Sequence, residues 1–232
     1  MKLSKRLTCV ADLVSQGHIA ADVGCDHAMV PIYLVKNGIV PYAYATDVNR
    51  GPAERAREAV KAAGLSELIT VLCCDGLTGL TPGDVQTVIM AGMGGPLMAD
   101  ILAASKEVCL SAEEFILEPQ SETGAFRHFL SENGYRIVSE DMILEDGKYY
   151  PVMKCVHGSM RFDSEVFYEY GPLLIRDKHP TLLRFLRRQE KNLTALLHTL
   201  SGAEPSESVS ARQISAGHEL TLVKEAIRRI EG

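Results

Sequence analysis

The chain has 232 residues, of which 46% are hydrophobic and 23% charged, so it can bury a sizeable core in one domain or two. No apolar run approaches the roughly 18 residues of a membrane span. The opening MKLSKRLTCVADL carries charge where a secretion signal needs a continuous apolar stretch, so we expect a cytoplasmic protein with no membrane partner.

The net charge of −6 is unevenly spread. Residues 1–158 hold 13 basic against 20 acidic side chains, whereas residues 159–232 hold 11 against 10. Local basic patches or the C-terminal part of the chain would therefore bind a polyanionic partner.

The cysteine spacing indicates buried free thiols. The six are Cys9, Cys25, Cys73, Cys74, Cys109 and Cys155. They form no CxxC pair and lie mostly in apolar segments, which disfavours both a disulfide framework and a zinc site. We therefore expect no metal.

Strand-like and helix-like segments alternate from Ile19 to about Val156. The strand-like runs are IAADVG, YAYATDV, LITVLCCD, VQTVIMAG and FILEP. Such alternation is typical of a parallel sheet covered by helices on both faces. Between the second and third runs, GPAERAREAVKAAG predicts a helix, with Pro52 in its first turn and Gly64 at its end.

The sheet is predicted to finish with an antiparallel pair. In YRIVSEDMILEDGKYYPVMKCV, two strand-like runs are joined by Asp146-Gly147, a strong hairpin signal. We predict an α/β domain over residues 1–158.

Residues 159–232 are predicted to be helical. One seam of leucines comprises Leu182, Leu186, Leu193, Leu196 and Leu200. The last helix repeats apolar residues at Ala216, Leu220, Val223, Ile227 and Ile230. With the polar link SGAEPSES between them, these helices predict an antiparallel hairpin with coiled-coil packing. A long helical tail folded back on the first domain is the alternative.

The ends of successive strands carry acids and glycines. ADVGCDHA has a single glycine where a dinucleotide loop needs GxGxxG, which disfavours a hydride-transfer enzyme. Asp47 lies 23 residues past Gly24, near the spacing at which a carboxylate binds ribose hydroxyls. Asp75 and AGMGG end the next two strands. An adenosine cofactor that needs no phosphate cradle, such as S-adenosylmethionine, fits this edge, although any one Asp or Gly could be a helix cap or a turn.

The segments ADVGCDHAMVP, TDVN, CCDGL and MAGMGGPLM, followed by a hairpin and a helical tail, resemble the bacterial tRNA (adenine-22-N1)-methyltransferase family. The resemblance covers nearly the whole chain, and its DxGxDHxxxP and AGMGG signatures are specific to that family. It implies a Rossmann-like class I methyltransferase sheet that uses S-adenosylmethionine, a C-terminal coiled-coil domain over residues 159–232, and tRNA as partner.

The resemblance also implies site residues. It places at the cofactor Asp22, Gly24, Cys25, Asp47, Val48, Asp75, Gly76, Ala91, Gly92, Met93, Gly94 and Gly95. It places Asp26 and His27 beside the transferred methyl group, as catalytic residues. The family pattern LQPN after the fifth strand is LEPQ here, so Glu118 and Gln120 are the candidates for holding the adenine, with their role left open by this departure.

Methylation at N1 of adenine requires alignment more than proton removal, because N1 has a free lone pair at neutral pH. Orientation of this kind is worth up to roughly 7–11 kcal/mol. A carboxylate near the base would stabilise the positive charge that appears on the product, which is the role expected of Asp26. His27 could bind the base or orient Asp26. The alternative is that Asp26 caps the following helix and His27 packs on the loop.

Two basic regions could bind RNA. Arg6, with Lys2 and Lys5, lies near the start of the chain, and Arg184, Arg188 and Lys191 share one face of the first long C-terminal helix. A solvated helix face explains the second group equally well. Tyr149 and Tyr150 are candidate platforms for a flipped adenine, although a hairpin tyrosine more often packs on the sheet.

Two other functions stay open at this stage. One is methylation of a small molecule or a protein, and the other is a catalytically silent, S-adenosylmethionine-binding module that docks on RNA or protein. We expect a monomer or a weak dimer through the coiled coil.

Overall fold

The computed structural model describes residues 2–204 and 206–232. It divides into two compact units, the first ending at Arg161 and the second covering Phe162–Gly232. The sequence places its boundary between residues 158 and 159. The division follows the change from alternating strands and helices to helices alone.

The first unit is built on a mixed sheet. Its described strands are β1 (Ala20–Val23), β2 (Ala43–Asp47), β3 (Ile69–Cys73), β4 (Thr87–Met93), β5 (Glu114–Pro119), β6 (Tyr135–Glu145) and β7 (Lys148–His157). Their order across the sheet is β3-β2-β1-β4-β5-β7-β6. The first five strands pair in parallel, and β7 lies antiparallel between β5 and β6. The predicted Rossmann-like sheet with a terminal antiparallel pair is confirmed.

Six α-helices of the first unit lie within the described residues. They are α1 (Lys5–Asp12), α2 (Met29–Lys36), α3 (Arg50–Ala62), α4 (Gly95–Ala104), α5 (Lys106–Ser111) and α6 (Thr123–Glu132). Ser4 caps α1 by accepting from the Leu7 N–H. Beyond α3, Gly64 has a φ of +72° and its N–H donates to Lys61, so the predicted helix stop is confirmed.

The core lies at the centre of the sheet. All residues of β1 and β5 are buried, including the acids Asp22, Glu114 and Glu118 among otherwise largely apolar residues. Strand order reverses at β1, which pairs with β2 on one side and β4 on the other. A crevice for a ligand is expected at the carboxyl ends of strands at such a switch point.

Two clusters of buried charged side chains stabilise the sheet away from this edge. Arg127 of α6 and Glu140 of β6 are each 1% exposed and form an ion pair at 3.0 Å. At the opposite end of β5, the Glu114 carboxylate accepts hydrogen bonds from the Ser15 backbone and hydroxyl, and lies 2.6 Å from the Lys154 ammonium. Although burial raises the pKa of Glu114, the contacts with Lys154 and Ser15 outweigh it and lower the pKa.

The second unit is helical in its described residues. It contains α7 (Glu165–Tyr170), α8 (Pro172–Arg176), α9 (Pro180–Ser201) and α10 (Glu207–Glu231). An ion pair between Arg187 and Glu231 joins the beginning of α9 to the end of α10, so the two helices are antiparallel.

The two predicted seams differ in burial along their length. Buried members are Leu182, Leu186, Leu193, Ala216, Val223, Ile227 and Ile230. Half-buried members are Leu196, Leu200 and Leu220. Pro205 of the predicted link lies outside the described residues.

Candidate active site

The loops after β1, β2, β3 and β4 converge at one edge of the sheet. The N–H groups of Gly24 and Cys25 both donate to the Thr46 carbonyl, at 2.8 and 3.1 Å. The Thr46 hydroxyl donates to the Gly76 carbonyl at 2.8 Å, and the Cys74 N–H donates to Asp47. The acids and glycines identified from sequence are therefore brought together by bonds between neighbouring strand ends.

Two buried carboxyl groups lie at this edge. Asp22 is 6% exposed and Asp47 is 8% exposed. Burial raises the pKa of Asp22 to about 7, so a cationic ligand would favour its ionised form. Asp47 accepts a hydrogen bond from the Asn49 N–H at 2.8 Å through Oδ1. Burial, then the charges of Asp22 and Asp47, raise the pKa of Cys25, so its thiol stays protonated.

The surface beside Asp47 combines apolar and polar groups. Val48 is 61% exposed, and the Asp75 side chain at the end of the next strand is exposed as well. Such a pairing suits an adenosine, whose base presents an apolar face and a polar edge.

The glycines at this edge lie in close contact with neighbouring segments. A Cβ on Gly24, whose φ is +72°, would lie 2.9 Å from Cε of Met93. A Cβ on Gly95 would lie 2.9 Å from the Ser121 carbonyl oxygen. A Cβ on Gly76 would lie 2.8 Å from the side chain of Ile101. The family resemblance places these glycines at the cofactor, and in the structure they also let neighbouring segments approach each other.

The Asp26-His27 pair lies on a strained, accessible 3₁₀ turn. The Asp26 and His27 side chains are 56% and 52% exposed, and their Oδ1 and Nε2 atoms are 3.8 Å apart. His27 and Ala28 have φ values of 62° and 48°. The alternative in which Asp26 caps the next helix is wrong, because Ala28 is the N-cap of α2 and no side chain bonds there.

Arg55 of α3 is the residue that the sequence interpretation missed. Its Nε and Nη2 both donate to Oδ1 of Asp26, at 3.2 and 2.8 Å. Arg55, rather than His27, therefore orients the Asp26 carboxylate. The segment GPAERAREAVKAAG indicated a helix, but nothing in it pointed to a partner in the loop after β1.

Glu118 and Arg6 meet at the carboxyl end of β5. Glu118 is fully buried and its Oε2 accepts from Nη1 of Arg6, while the Arg6 guanidinium lies 5.4 Å from the ring centroid of Tyr150. Burial raises the pKa of Glu118, and Arg6 partly opposes this shift. Because Glu118 has no exposed surface, it would act on a substrate through the groups that contact it, which include Arg6, the Gly92 backbone and the Gln120 side chain.

Gln120 lies beside this pair. Its side chain is exposed, and its backbone N–H donates to the Met93 carbonyl at 3.0 Å. A Cβ on Gly92 would lie 3.6 Å from Nη1 of Arg6 and 3.8 Å from Nε2 of Gln120. Three residues predicted to bind substrate thus lie around Gly92 and Met93, the last two residues of β4.

The basic residues of the second unit are accessible. Arg184, Arg188 and Lys191 of α9 are exposed. Arg187, on the same helix, forms ion pairs with Glu190 and Glu231. The three residues that the sequence selected are therefore solvent-accessible on one helix, with an ion-paired arginine among them.

Within residues 2–204 and 206–232, no three His, Cys, Asp or Glu side chains are grouped so that they could hold a metal ion. In the same described ranges, no helix combines the length and the apolar character needed to cross a bilayer.

Residues 3–153 match the model of a family described as methyltransferase domain. This match covers the strands and loops of the edge at which the acids converge. The class of protein defined by the fold and site is a methyltransferase.

The whole chain is similar to particular members of that class. It is 31% identical to the tRNA (adenine(22)-N(1))-methyltransferase of Bacillus subtilis, over 98% of this chain and 98% of that protein. Sp1610 of Streptococcus pneumoniae, solved in complex with S-adenosyl-L-methionine, is 32% identical with a TM-score of 0.87, over 97% of this chain and 100% of that one. TrmK of M. capricolum, solved with S-adenosyl-homocysteine, is 25% identical with a TM-score of 0.85, over 99% and 100%. The chain belongs to the tRNA (adenine(22)-N(1))-methyltransferase family, and the resemblance found in its sequence is confirmed.

Proposed function

We propose that this protein transfers a methyl group from S-adenosylmethionine to N1 of adenine 22 in tRNA. The observation that carries the proposal is the convergence of Asp22, Asp47 and Asp75 with the Asp26-His27 turn at one sheet edge, in a chain that matches this family along its length.

The donor set fits S-adenosylmethionine. Asp47 accepts from the ribose hydroxyls, Val48 packs on the adenine face, and Asp75 accepts from the adenine amino group. Asp22 lies where a cationic ligand gains from its carboxylate, and the loop from Ala91 to Gly95 offers backbone groups at close range. When bound, this cofactor supplies a methyl group on a positively charged sulfur.

The residues of the chain then act by orientation and charge. The substrate N1 attacks through its own lone pair, so no side chain removes a proton first. Asp26 stabilises the positive charge that develops on the adenine, and His27 hydrogen-bonds the base. Arg6 and Gln120, beside Gly92 at the end of β4, orient the nucleotide for attack on the methyl group.

The second unit binds the tRNA backbone. We propose a methyltransferase domain over residues 1–158 and a coiled-coil domain over residues 159–232, in which α9 packs against α10. The exposed basic side chains of α9 would bind phosphates of the tRNA. The protein acts as a monomer or a weak dimer through that coiled coil. Replacing Arg184, Arg188 and Lys191 together with Ala should weaken tRNA binding and reduce the slope of affinity against salt by about 2–3 units, since each phosphate contact contributes roughly 0.9. An unchanged salt slope would exclude this face from the tRNA contact.

The deciding experiment is methyl transfer from labelled S-adenosylmethionine to a tRNA transcript with adenine at position 22. A transcript with guanine at that position is the matched control. We expect 1-methyladenosine in the first digest only, and loss of transfer with retained cofactor binding in Asp26→Ala. If the cofactor binds but no tRNA is labelled, the activity is directed at a small molecule or protein, or the chain is a silent docking module.

A further inference from the structure

The turn after β1 is held in an unfavourable backbone conformation. His27 and Ala28 are consecutive non-glycine residues with left-handed φ values of 62° and 48°. A residue of this kind is strained, and it persists only where surrounding contacts determine its conformation. Something must therefore hold this turn.

Part of the restraint comes from the backbone. The Ala28 N–H donates to the Cys25 carbonyl at 2.6 Å, and Ala28 is completely buried. These contacts fix the two ends of the turn. They do not fix the exposed side chain of Asp26, which lies before the two strained residues.

Arg55 supplies the remaining contact. Two of its N–H groups converge on Oδ1 of Asp26, and the guanidinium reaches the turn from α3, which packs against it. Since Oδ1 receives both bonds, the contact fixes the direction of the carboxylate and leaves Oδ2 for a ligand. Both partners of this ion pair are about half exposed, so the pair contributes little to the stability of the whole fold. Its effect is local.

We propose that Arg55 is a positioning residue that holds the Asp26 carboxylate and, through it, the left-handed turn at His27 and Ala28 in the conformation needed for methyl transfer. The part of this proposal that links the turn to methyl transfer rests on the proposed function. The contact itself is a property of the protein without ligands.

The first test therefore uses the ligand-free protein and hydrogen–deuterium exchange. In Arg55→Ala, we expect the peptide covering residues 22–30 to exchange several-fold faster, with the β4 peptide unchanged. Asp26→Ala should have the same effect, and the double variant should exchange no faster than either single one, because both substitutions remove one contact. Arg50→Ala is the matched control, since Arg50 lies on the same helix and pairs with Glu54.

The second test measures methyl transfer. Arg55→Ala should lower kcat about fivefold, as expected for loss of an exposed pair worth about 1 kcal/mol, with KM for tRNA unchanged. Arg55→Lys should recover part of the loss, and Arg50→Ala should leave kcat unchanged.

The proposal would be overturned if Arg55→Ala left hydrogen exchange in the 22–30 peptide unchanged, or if the effects of Arg55→Ala and Asp26→Ala on exchange were additive. If Arg55→Ala proves unfolded, Arg55→Lys and Arg55→Gln can replace it in the comparison of single and double variants. If the wild type labels no tRNA, the proposed function fails, while the exchange experiment still decides whether Arg55 holds the turn.

Discussion

Asp22 provides a direct test of the cofactor site, because burial controls its charge. The side chain is 6% exposed, and burial raises its pKa to about 7 from an ordinary value of 3.8. A cofactor that carries positive charge favours the ionised carboxylate. Binding should therefore release a proton at pH values below about 7.

The size of the effect follows from the fraction of Asp22 that is ionised before binding. With a pKa of about 7, this fraction is about one tenth at pH 6 and about nine tenths at pH 8. Apparent affinity scales with the competent fraction, so it should rise about tenfold between these pH values. Close to one proton per cofactor should be released at pH 6, and about one tenth of a proton at pH 8.

The assay is isothermal titration calorimetry with S-adenosylmethionine and no tRNA, in two buffers of different ionisation enthalpy at each pH. Asp22→Asn keeps the size of the side chain and removes its charge. Because the amino group of the ligand titrates in both experiments, the difference between wild type and Asp22→Asn isolates the contribution of Asp22. Equal proton release by the two proteins at pH 6 would refute this reasoning.

The raised pKa of Asp22 also makes the stability of the ligand-free protein depend on pH. The folded state keeps a proton on Asp22 that the unfolded chain has released above about pH 4. The contribution of Asp22 to stability is therefore greatest at low pH and falls as pH rises from about 4 to about 7. Thermal unfolding of Asp22→Asn should lack this component, and an identical pH dependence in both proteins would contradict the assignment.

Two further predictions concern the scaffold. Arg127→Met removes the positive half of the buried Arg127–Glu140 ion pair and should lower the free energy of unfolding by about 3–5 kcal/mol, measured by urea denaturation; a loss below about 1 kcal/mol would show that this pair does not stabilise the fold. Gly95→Ala places a Cβ 2.9 Å from the Ser121 carbonyl and should cost about 1–3 kcal/mol. Gly217→Ala, which adds a Cβ in open space within α10, is its control and should be neutral or stabilising in the same measurement.

The sequence was informative wherever structure depends on neighbours along the chain. The parallel strands, the hairpin at Asp146-Gly147 and the helix ending before Gly64 all follow from periodicity and turn chemistry, which are local properties. The family also followed from the sequence, because its motifs occupy short contiguous segments. The roles of the individual site residues stay predictions.

The tertiary structure decided which side chains meet. Arg55 and Asp26 are 29 residues apart, and Arg6 and Glu118 are 112 apart, so no local pattern could pair them. The sequence selected Glu118 and Asp26 by their places in motifs, but it could not show that the first is fully buried or that the second is held by a helix arginine.

The glycines illustrate the same division. The sequence determined that Gly24, Gly76 and Gly95 end strands at one edge, since strand ends are marked locally. Only the folded chain showed that Met93, Ile101 and Ser121 lie where a Cβ would be. Periodicity and turn propensity act between residues a few positions apart, whereas burial, ion pairing and close packing depend on where the sheet brings distant strand ends together.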